Sequence, residues 1–172
     1  GLVGSEMCIR DSSYFWTPNE EMAEFKESLV AGQELEDLVL NLLRKDYPSS
    51  VRIPGKFSAY DIFVPEKNVK IEVKQDKKSL HTGNIVIETS MFGRASGIMA
   101  TEADYVYFDT GEELLIITPK DIFKCILAND IPQRKFVGDG DSEEKTAHLV
   151  KTDILKPYCL KVQKSLIKLS LN

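Results

Sequence analysis

The chain has 172 residues, 42% of them apolar, which suffices for one domain with its own hydrophobic core and argues against global disorder. Its net charge of −5 excludes an overall positive field, so any surface for nucleic acid must be local. No apolar stretch approaches the roughly 18 residues that span a bilayer. Residues 1–12 lack the pattern of a secretory signal, and we expect a cytoplasmic protein without membrane contact.

We expect residues 1–17 to be a non-native or disordered leader, because they show neither helical nor strand periodicity. Residues 18–172 then form a single domain, with a core at about 30–130 and a basic C-terminal tail at 145–172. The three cysteines have no CxxC spacing and the chain has only two histidines, so we expect neither a disulfide framework nor a structural zinc site.

The first predicted element is a helix within residues 18–46, which Gly32 divides and Tyr47-Pro48 ends. Its apolar stripe follows the 3.6-residue period and consists of Leu35, Leu38, Val39, Leu42 and Leu43. On the helical wheel Glu36 falls inside this apolar arc, whereas Glu34 falls outside it. The wheel therefore selects Glu36 as the acidic residue that faces the rest of the domain.

Short β-rich runs follow the helix, at residues 51–53, 57–64, 69–75, 85–87, 105–108 and 114–117, with turns at 54–55, 65–68, 83–84 and 109–112. Residues 91–100 read as a loop with a short helix. A second helix begins at Thr118-Pro119, where a hydroxyl caps the first turn, and its predicted buried face is Ile122, Phe123, Ile126 and Leu127. Residues 130–146 are polar and rich in turn formers, and a strand-like alternation follows at Tyr158, Leu160 and Val162.

Three ionisable residues interrupt apolar strands: Asp61 in the run 60–64, and Glu72 and Lys74 in the run 69–75. Charges in half-buried strands are costly unless they are paired or hold a cation. Side chains alternate along a strand, so Glu72 and Lys74 share one face about 6.6 Å apart. If the turn at 65–68 folds the two strands together, Asp61 stands beside Glu72.

Two adjacent carboxylates repel each other unless they share a proton or a divalent cation. Magnesium fits such a site because it keeps several waters and accepts phosphate oxygens as its remaining ligands. A neighbouring lysine can act on the attacking water or stabilise the charge that develops on phosphorus. The sequence therefore predicts Mg²⁺ (or Mn²⁺) and the chemistry of phosphodiester hydrolysis.

Asp61 together with Glu72-Val73-Lys74 resembles the motif of the PD-(D/E)xK superfamily of restriction-endonuclease-like nucleases, although Tyr60 stands where many members have proline. Gly32-Gln-Glu-Leu-Glu36 is similar to the Gly-x-x-x-Glu that many members carry on the preceding helix. Residues 82–88, 96–98 and 103–105 are similar to a phage-borne, resolvase-like subgroup. The resemblance covers residues 30–118.

The resemblance implies a three-layer α/β core, with a mixed central sheet from residues 51–117 flanked by helices at 20–46 and 119–129. It also implies a metal-dependent DNA endonuclease, such as a Holliday-junction resolvase or a homing-type phage nuclease. Asp61 and Glu72 are then metal ligands, with Glu88 as an additional one. Lys74 acts on the water or the transition state, and Glu36 positions water or a second ion.

Each assignment has a structural alternative. Asp61 could be an edge-strand charge, Glu72 with Lys74 a surface ion-pair strip, and Glu36 a solvated helix residue. Glu88 could equally be a surface carboxylate at a strand end. His81 is read as a loop residue rather than a base, and residues 138–144 as a solvated turn rather than a calcium loop. The alternative for the whole protein is an inactive nuclease-like fold that binds DNA or a protein partner.

Positive charge for DNA is concentrated near the C-terminus, where residues 145–172 carry a net charge of +5 and the rest of the chain −10. With Lys77, Lys78 and Arg94 near the site, this segment could hold phosphates, or it could be a solvated amphipathic tail. The DNA-binding residues and any sequence specificity stay open. We also expect a homodimer, because a duplex or junction presents two scissile phosphates and a single site cuts only one strand.

Overall fold

The computed structural model describes residues 32–55, 59–91, 94–137 and 144–171. The predicted leader at 1–17, the predicted helix before residue 32 and most of the polar turn at 138–144 lie outside these ranges. No helix in the described ranges is long and apolar enough to cross a membrane.

The described chain is mixed α/β. Its first helix, α1, covers residues 32–44. The strands are β1 Val51–Arg52, β2 Ile62–Val64, β3 Val69–Gln75, β4 Asn84–Met91, β5 Arg94–Ala95, β6 Tyr105–Asp109, β7 Glu113–Ile117, β8 Gln133–Val137, β9 Glu144–Lys151 and β10 Lys161–Lys164. The later helices are α2 Ser79–Thr82, α3 Pro119–Ala128, α4 Thr152–Leu155 and α5 Leu166–Ser170, with 3₁₀ turns at Gly97–Met99 and Lys156–Tyr158.

The central sheet has six strands in the order β1-β2-β3-β6-β7-β10. Strands β1, β2 and β3 form an antiparallel meander, and β6 lies parallel to β3. The remaining neighbours, β6 with β7 and β7 with β10, are antiparallel. A second, antiparallel sheet has the order β5-β4-β9-β8. The central sheet is therefore mixed, as predicted.

Two hydrophobic clusters lie on opposite faces of the central sheet. On one face α1 packs through Leu35, Val39 and Leu40 against β2, β3 and alternate residues of β6 and β7. On the other face α3 and the second sheet pack against the remaining residues of β6 and β7, among them Val106 and Phe108. Because side chains alternate along a strand, these two clusters also fix which face each polar residue of β3 occupies.

The start of α3 agrees with its predicted cap. The Thr118 hydroxyl accepts the N–H of Asp121 at 3.1 Å, and Pro119 occupies the first turn. Ile122 and Ile126 are buried as expected, and Phe123 is partly buried. The assignment of Leu127 to the buried face is wrong, since this residue is 76% exposed. Cys125 takes its place, because it projects on the same side as Ile122 and Ile126.

Three expectations about the sheets need correction. The strand predicted at 85–87 was assigned to the central sheet, but β4 pairs with β9 in the second sheet. Part of the polar segment 130–146 is strand β8, whose residues are mostly exposed and whose hydrogen bonds come from β9. The segment 145–172 is not a tail, because it supplies β9, β10, α4 and α5. Each correction depends on pairing between distant segments, which local periodicity does not report.

Candidate functional site

The antiparallel hairpin of β2 and β3 brings Asp61 beside Glu72. The chain reverses at residues 65–68, where Asn68 adopts a left-handed conformation with φ of 52°. Ile62 pairs with Ile71, and the Asp61 N–H donates to the Ile71 carbonyl oxygen at 2.9 Å. Asp61 therefore lies immediately before β2, at the position opposite Glu72 of β3.

The Asp61 carboxylate is held by the backbone of β3. Its Oδ2 accepts the N–H of Val73 at 2.7 Å. Backbone groups two residues apart in a strand point to the same edge, so the Val73 N–H points toward β2 as the Ile71 carbonyl does. It lies beyond Ile62, the first residue of β2. The side chain of Asp61 supplies the acceptor that a longer β2 would have supplied. Asp61 is thereby fixed next to the residue between Glu72 and Lys74.

Glu72 and Lys74 face the side of the sheet opposite α1. In the parallel register Glu72 lies beside Val106 and Lys74 beside Phe108, and both of these β6 residues belong to the cluster under α3 and the second sheet. Glu72 is half-buried and Lys74 is exposed. The two side chains therefore share one face, as strand alternation predicts.

Glu72 lies in an environment that disfavours its charge. Burial raises the pKa of the Glu72 carboxyl, and the nearby negative charges of Asp61 and Glu88 raise it further. The Lys74 ammonium and a hydrogen bond with the Thr101 hydroxyl oppose this increase in pKa. Two acidic side chains and one lysine thus act electrostatically on the half-buried Glu72 carboxylate.

Glu36 interacts with the same cluster from α1. Its side chain is 25% exposed and forms an ion pair with Arg52, with 3.1 Å between Oε1 and Nε. Burial raises the pKa of Glu36, Asp61 adds to this increase, and Arg52 opposes it. The sequence analysis selected Glu36 but not Arg52, although an arginine between the apolar residues Val51 and Ile53 was a visible signal.

Glu88 lies at an irregularity of β4. The register of β4 with β9 shifts between Glu88 and Ser90. The Ser96 hydroxyl donates to Glu88 Oε2 at 2.6 Å, and Lys145 Nζ lies 3.7 Å from Oε1. Both carboxylate oxygens of Glu88 therefore have protein partners, and its predicted role as an additional metal ligand stays a prediction.

In the described ranges, no three histidine, cysteine, aspartate or glutamate side chains are grouped closely enough to form a ready-made metal site. Mg²⁺ is commonly bound by only one or two carboxylates, with water and substrate phosphate completing its coordination. Asp61 and Glu72 are adjacent carboxylates with the hard oxygen donors that Mg²⁺ and Mn²⁺ prefer. The donor set therefore fits either ion.

Lysines of the segment 145–172 are divided between separate parts of the fold. Lys145 lies on β9 of the second sheet, whereas Lys161 and Lys164 lie on β10 at the edge of the central sheet. Lys156 pairs with Glu113 at 2.5 Å, and Lys168 pairs with Glu112. This arrangement does not form the single basic strip suggested by the sequence.

The remaining chemically reactive residues lie outside the cluster. His81 is an exposed residue of the short helix α2 rather than a loop residue. Cys125 and Cys159 are free thiols, and burial raises the pKa of Cys159 to about 11. A shallow cavity of about 380 Å³ lies near Ser79, Thr110 and Lys151 and contains none of the predicted site residues.

Comparisons with protein-family models, with curated proteins and with solved structures found no match for this chain.

Proposed function

We propose that this protein is a metal-dependent DNA endonuclease of the PD-(D/E)xK type that hydrolyses phosphodiester bonds with Mg²⁺ or Mn²⁺. The observation that carries the proposal is the hydrogen bond from the Val73 N–H to the Asp61 carboxylate at 2.7 Å. It fixes Asp61 beside the residue that separates Glu72 from Lys74. The three residues of the motif are therefore neighbours in space as well as in the pattern.

The chain order supports the same proposal. An acidic residue on α1 precedes the meander β1-β2-β3, and β6 returns parallel to β3. Helices pack on both faces of this sheet, which agrees with the three-layer core that the resemblance implies. In this proposal the second sheet is an addition to the nuclease core. Its strands β4, β5, β8 and β9 lie between β3 and α4 in the chain.

In this proposal Asp61 and Glu72 hold the cation. A bound divalent ion neutralises phosphate charge and lowers the pKa of a coordinated water. Lys74 is exposed on the same face as Glu72, so its ammonium can donate to a phosphate oxygen or orient the attacking water. Glu36 approaches Asp61 from α1 and would position water or a second ion.

A DNA- or protein-binding module with a nuclease-like fold is the second candidate. It is favoured by the absence of a ready-made three-residue metal group within the described residues. The half-burial of Glu72 and the negative charges of Asp61 and Glu88 that act on it favour the enzyme, because like charges are costly to retain without a cation to bind.

The test is metal-dependent cleavage of supercoiled plasmid and of a four-way junction, with Mg²⁺, with Mn²⁺ and with excess EDTA. We expect cutting with either metal and none with EDTA. Lys74→Ala should lower the rate by about 10²- to 10⁴-fold, the range for loss of a general acid–base or charge-stabilising group. Lys124→Ala changes a surface lysine of α3 and serves as the matched control.

Two results would contradict the enzyme. Cutting that survives in Lys74→Ala at the wild-type rate would indicate a contaminating nuclease. Binding without metal-dependent cleavage of either DNA would favour the binding module.

For the substrate form we propose a homodimer acting on a duplex or a branched junction, in a phage-type, junction-resolving or homing role. Double-strand cleavage needs two sites, and a two-fold axis would present one site to each strand. Light scattering with and without DNA measures the assembly. A strict monomer that only nicks one strand would overturn the dimer and leave the nuclease proposal standing.

A further inference from the structure

The face of the central sheet that carries Glu72 continues beyond the carboxylates onto β1 and β2. Phe63 of β2 lies directly opposite Lys70 of β3, and Val51 of β1 lies opposite Phe63. Directly opposed residues of antiparallel strands project to the same side of the sheet, and Lys70 is two residues from Glu72 on the same strand. This row of three side chains therefore lies on the Glu72 face, about 6.6 Å along the strand from Glu72.

The row is not part of the hydrophobic core that the described residues form. Phe63 is half-buried and belongs to neither of the two hydrophobic clusters, and Val51 is 42% exposed. The neighbours of Phe63 along β2, Ile62 and Val64, are buried in the cluster under α1. Phe63 therefore presents an aromatic side chain on the side of the sheet where the carboxylates lie, without a core function in the described ranges.

A second aromatic ring and an ammonium group lie beside Phe63. The Lys70 Nζ lies 5.2 Å from the centre of the ring of Tyr60, the residue that immediately precedes Asp61. The Asp104 carboxylate accepts the backbone N–H of Lys70 at 2.8 Å, but no carboxylate of the described residues forms an ion pair with the Lys70 ammonium. The flank of the proposed cation site thus combines two aromatic rings with a positive charge that no described acid neutralises.

We propose that an unpaired nucleotide next to the scissile phosphate binds to a stacking face formed by Tyr60, Phe63 and Lys70. The inference rests on the nuclease proposal and names its substrate class, which is DNA with a single-stranded segment beside the cut. Aromatic rings that stack on bases, together with cations that contact the backbone, are typical of sites for single strands. Phe63 and Tyr60 supply the rings, and Lys70 supplies the cation.

A continuous duplex would use this face poorly. Its bases are stacked on one another and present only their edges in the grooves, so an aromatic ring meets the face of a base only where the base is unpaired and unstacked. The chain as a whole has a net charge of −5, which limits attraction to phosphates alone. Stacking contributes affinity that does not depend on that charge.

The test measures binding without cleavage, in EDTA, by fluorescence anisotropy. The two probes are a fully paired duplex and the same duplex with one end splayed into two single-stranded arms. We expect wild type to bind the forked DNA about 5- to 100-fold more tightly, the range for one stacked base. Phe63→Leu keeps apolar volume but removes the ring, so it should abolish this preference and leave duplex affinity within a few-fold of wild type.

Lys70→Ala is a second variant that leaves Phe63 in place, so the test does not depend on the folding of Phe63→Leu. Loss of one phosphate contact should lower the slope of log affinity against log salt for the forked DNA by about 0.7. Lys67→Ala is the matched control. The Lys67 Nζ also lies near a ring, 5.8 Å from the centre of that of Tyr47, but Tyr47 packs in the cluster under α1. Affinity and salt dependence should be unchanged in this control.

Equal affinity of wild type for the two probes overturns the inference. So does forked-DNA affinity that stays at the wild-type value in both folded Phe63→Leu and Lys70→Ala, because the face then has only a structural role.

This inference and the nuclease proposal fail in different ways. If wild type cuts DNA with Mg²⁺ but binds both probes equally, only the stacking face is wrong. If wild type prefers forked DNA through Phe63 and Lys70 but cuts no DNA with either metal, the nuclease proposal is wrong and the stacking face belongs to a DNA-binding module.

Discussion

Asp109 and Glu72 are acidic residues on neighbouring strands of the central sheet, and their surroundings differ. Asp109 is fully buried at the end of β6 and accepts hydrogen bonds from the Ser165 hydroxyl at 2.6 Å, the Gly111 N–H at 2.8 Å and the Leu166 N–H at 2.9 Å. Glu72, on β3, is half-buried, and the charges of Lys74, Asp61 and Glu88 act on it. One carboxylate is surrounded by donors, whereas burial is the main influence on the other, which has a lysine and two acids as its charged neighbours.

This contrast separates a structural acid from a candidate functional one. The donors of Asp109 compensate for its lost hydration and bind the β6–β7 turn to the start of α5. At Glu72, by contrast, burial and the neighbouring acids together raise the pKa. A carboxylate in that position destabilises the metal-free fold, which identifies the Glu72 region as a candidate functional site.

The largest stability loss is expected at Asp109. Asp109→Asn places an amide group among donors and removes charge-assisted hydrogen bonds, so the free energy of unfolding should fall by about 3 kcal/mol. Urea denaturation measures this loss. Cutting per folded molecule should stay within a few-fold of wild type, and a large loss of activity in folded protein would break the distinction between the two acids.

A smaller loss of stability is expected for a substitution of Gly97, in the turn that contacts Glu88. Gly97→Ala adds a Cβ that clashes with the Glu88 backbone in a left-handed conformation, and should cost about 2 kcal/mol or more in the free energy of unfolding. Gly83 also has a positive φ, of 73°, but a Cβ there meets nothing within 4 Å. Gly83→Ala should therefore cost about 1 kcal/mol, the conformational part alone. Thermal unfolding compares the two variants, and equal losses would show that the contact with Glu88 contributes nothing.

The smallest expected effect is a gain, rather than a loss, in the free energy of unfolding. Glu72→Gln removes the disfavoured charge, and should raise the free energy of unfolding of metal-free protein by about 1 kcal/mol at pH 7.5, or roughly 2–4 °C in Tm. The folded pKa of Glu72 lies above 4.5, the usual value for a glutamate, so the destabilisation is present above the folded pKa and disappears below pH 4.5. The gain should vanish at pH 4. The same variant should lose metal-dependent cutting.

Thermal scans of wild type and Glu72→Gln at both pH values check this result. Added Mn²⁺ should stabilise wild type and leave the variant unchanged. A variant that is less stable than wild type at pH 7.5 would show that Glu72 contributes a net stabilising ion pair, as the surface-strip alternative holds.

Local signals in the sequence were sufficient to predict several of the helices and strands. The apolar stripe predicted the face of α1 that packs on the sheet, Thr118-Pro119 predicted the start of α3, and the turn at 65–68 predicted the β2–β3 hairpin. Each depends on residues close together in the chain, where period and turn chemistry act directly. The proximity of Asp61 to Glu72 follows from that hairpin and was predictable for the same reason.

Long-range pairing decided the rest. The sequence by itself determined the helix, the hairpin and the three motif residues, because short-range periodicity and turn formation fix them. Only the tertiary structure placed β4 with β9 in a second sheet, buried Cys125 instead of Leu127, and brought the Ser96 hydroxyl to the Glu88 carboxylate. The pairing of β4 with β9 joins residues more than 60 positions apart in the chain, such as Asn84 and Lys151, and its energy depends on which surfaces meet, which no local pattern encodes.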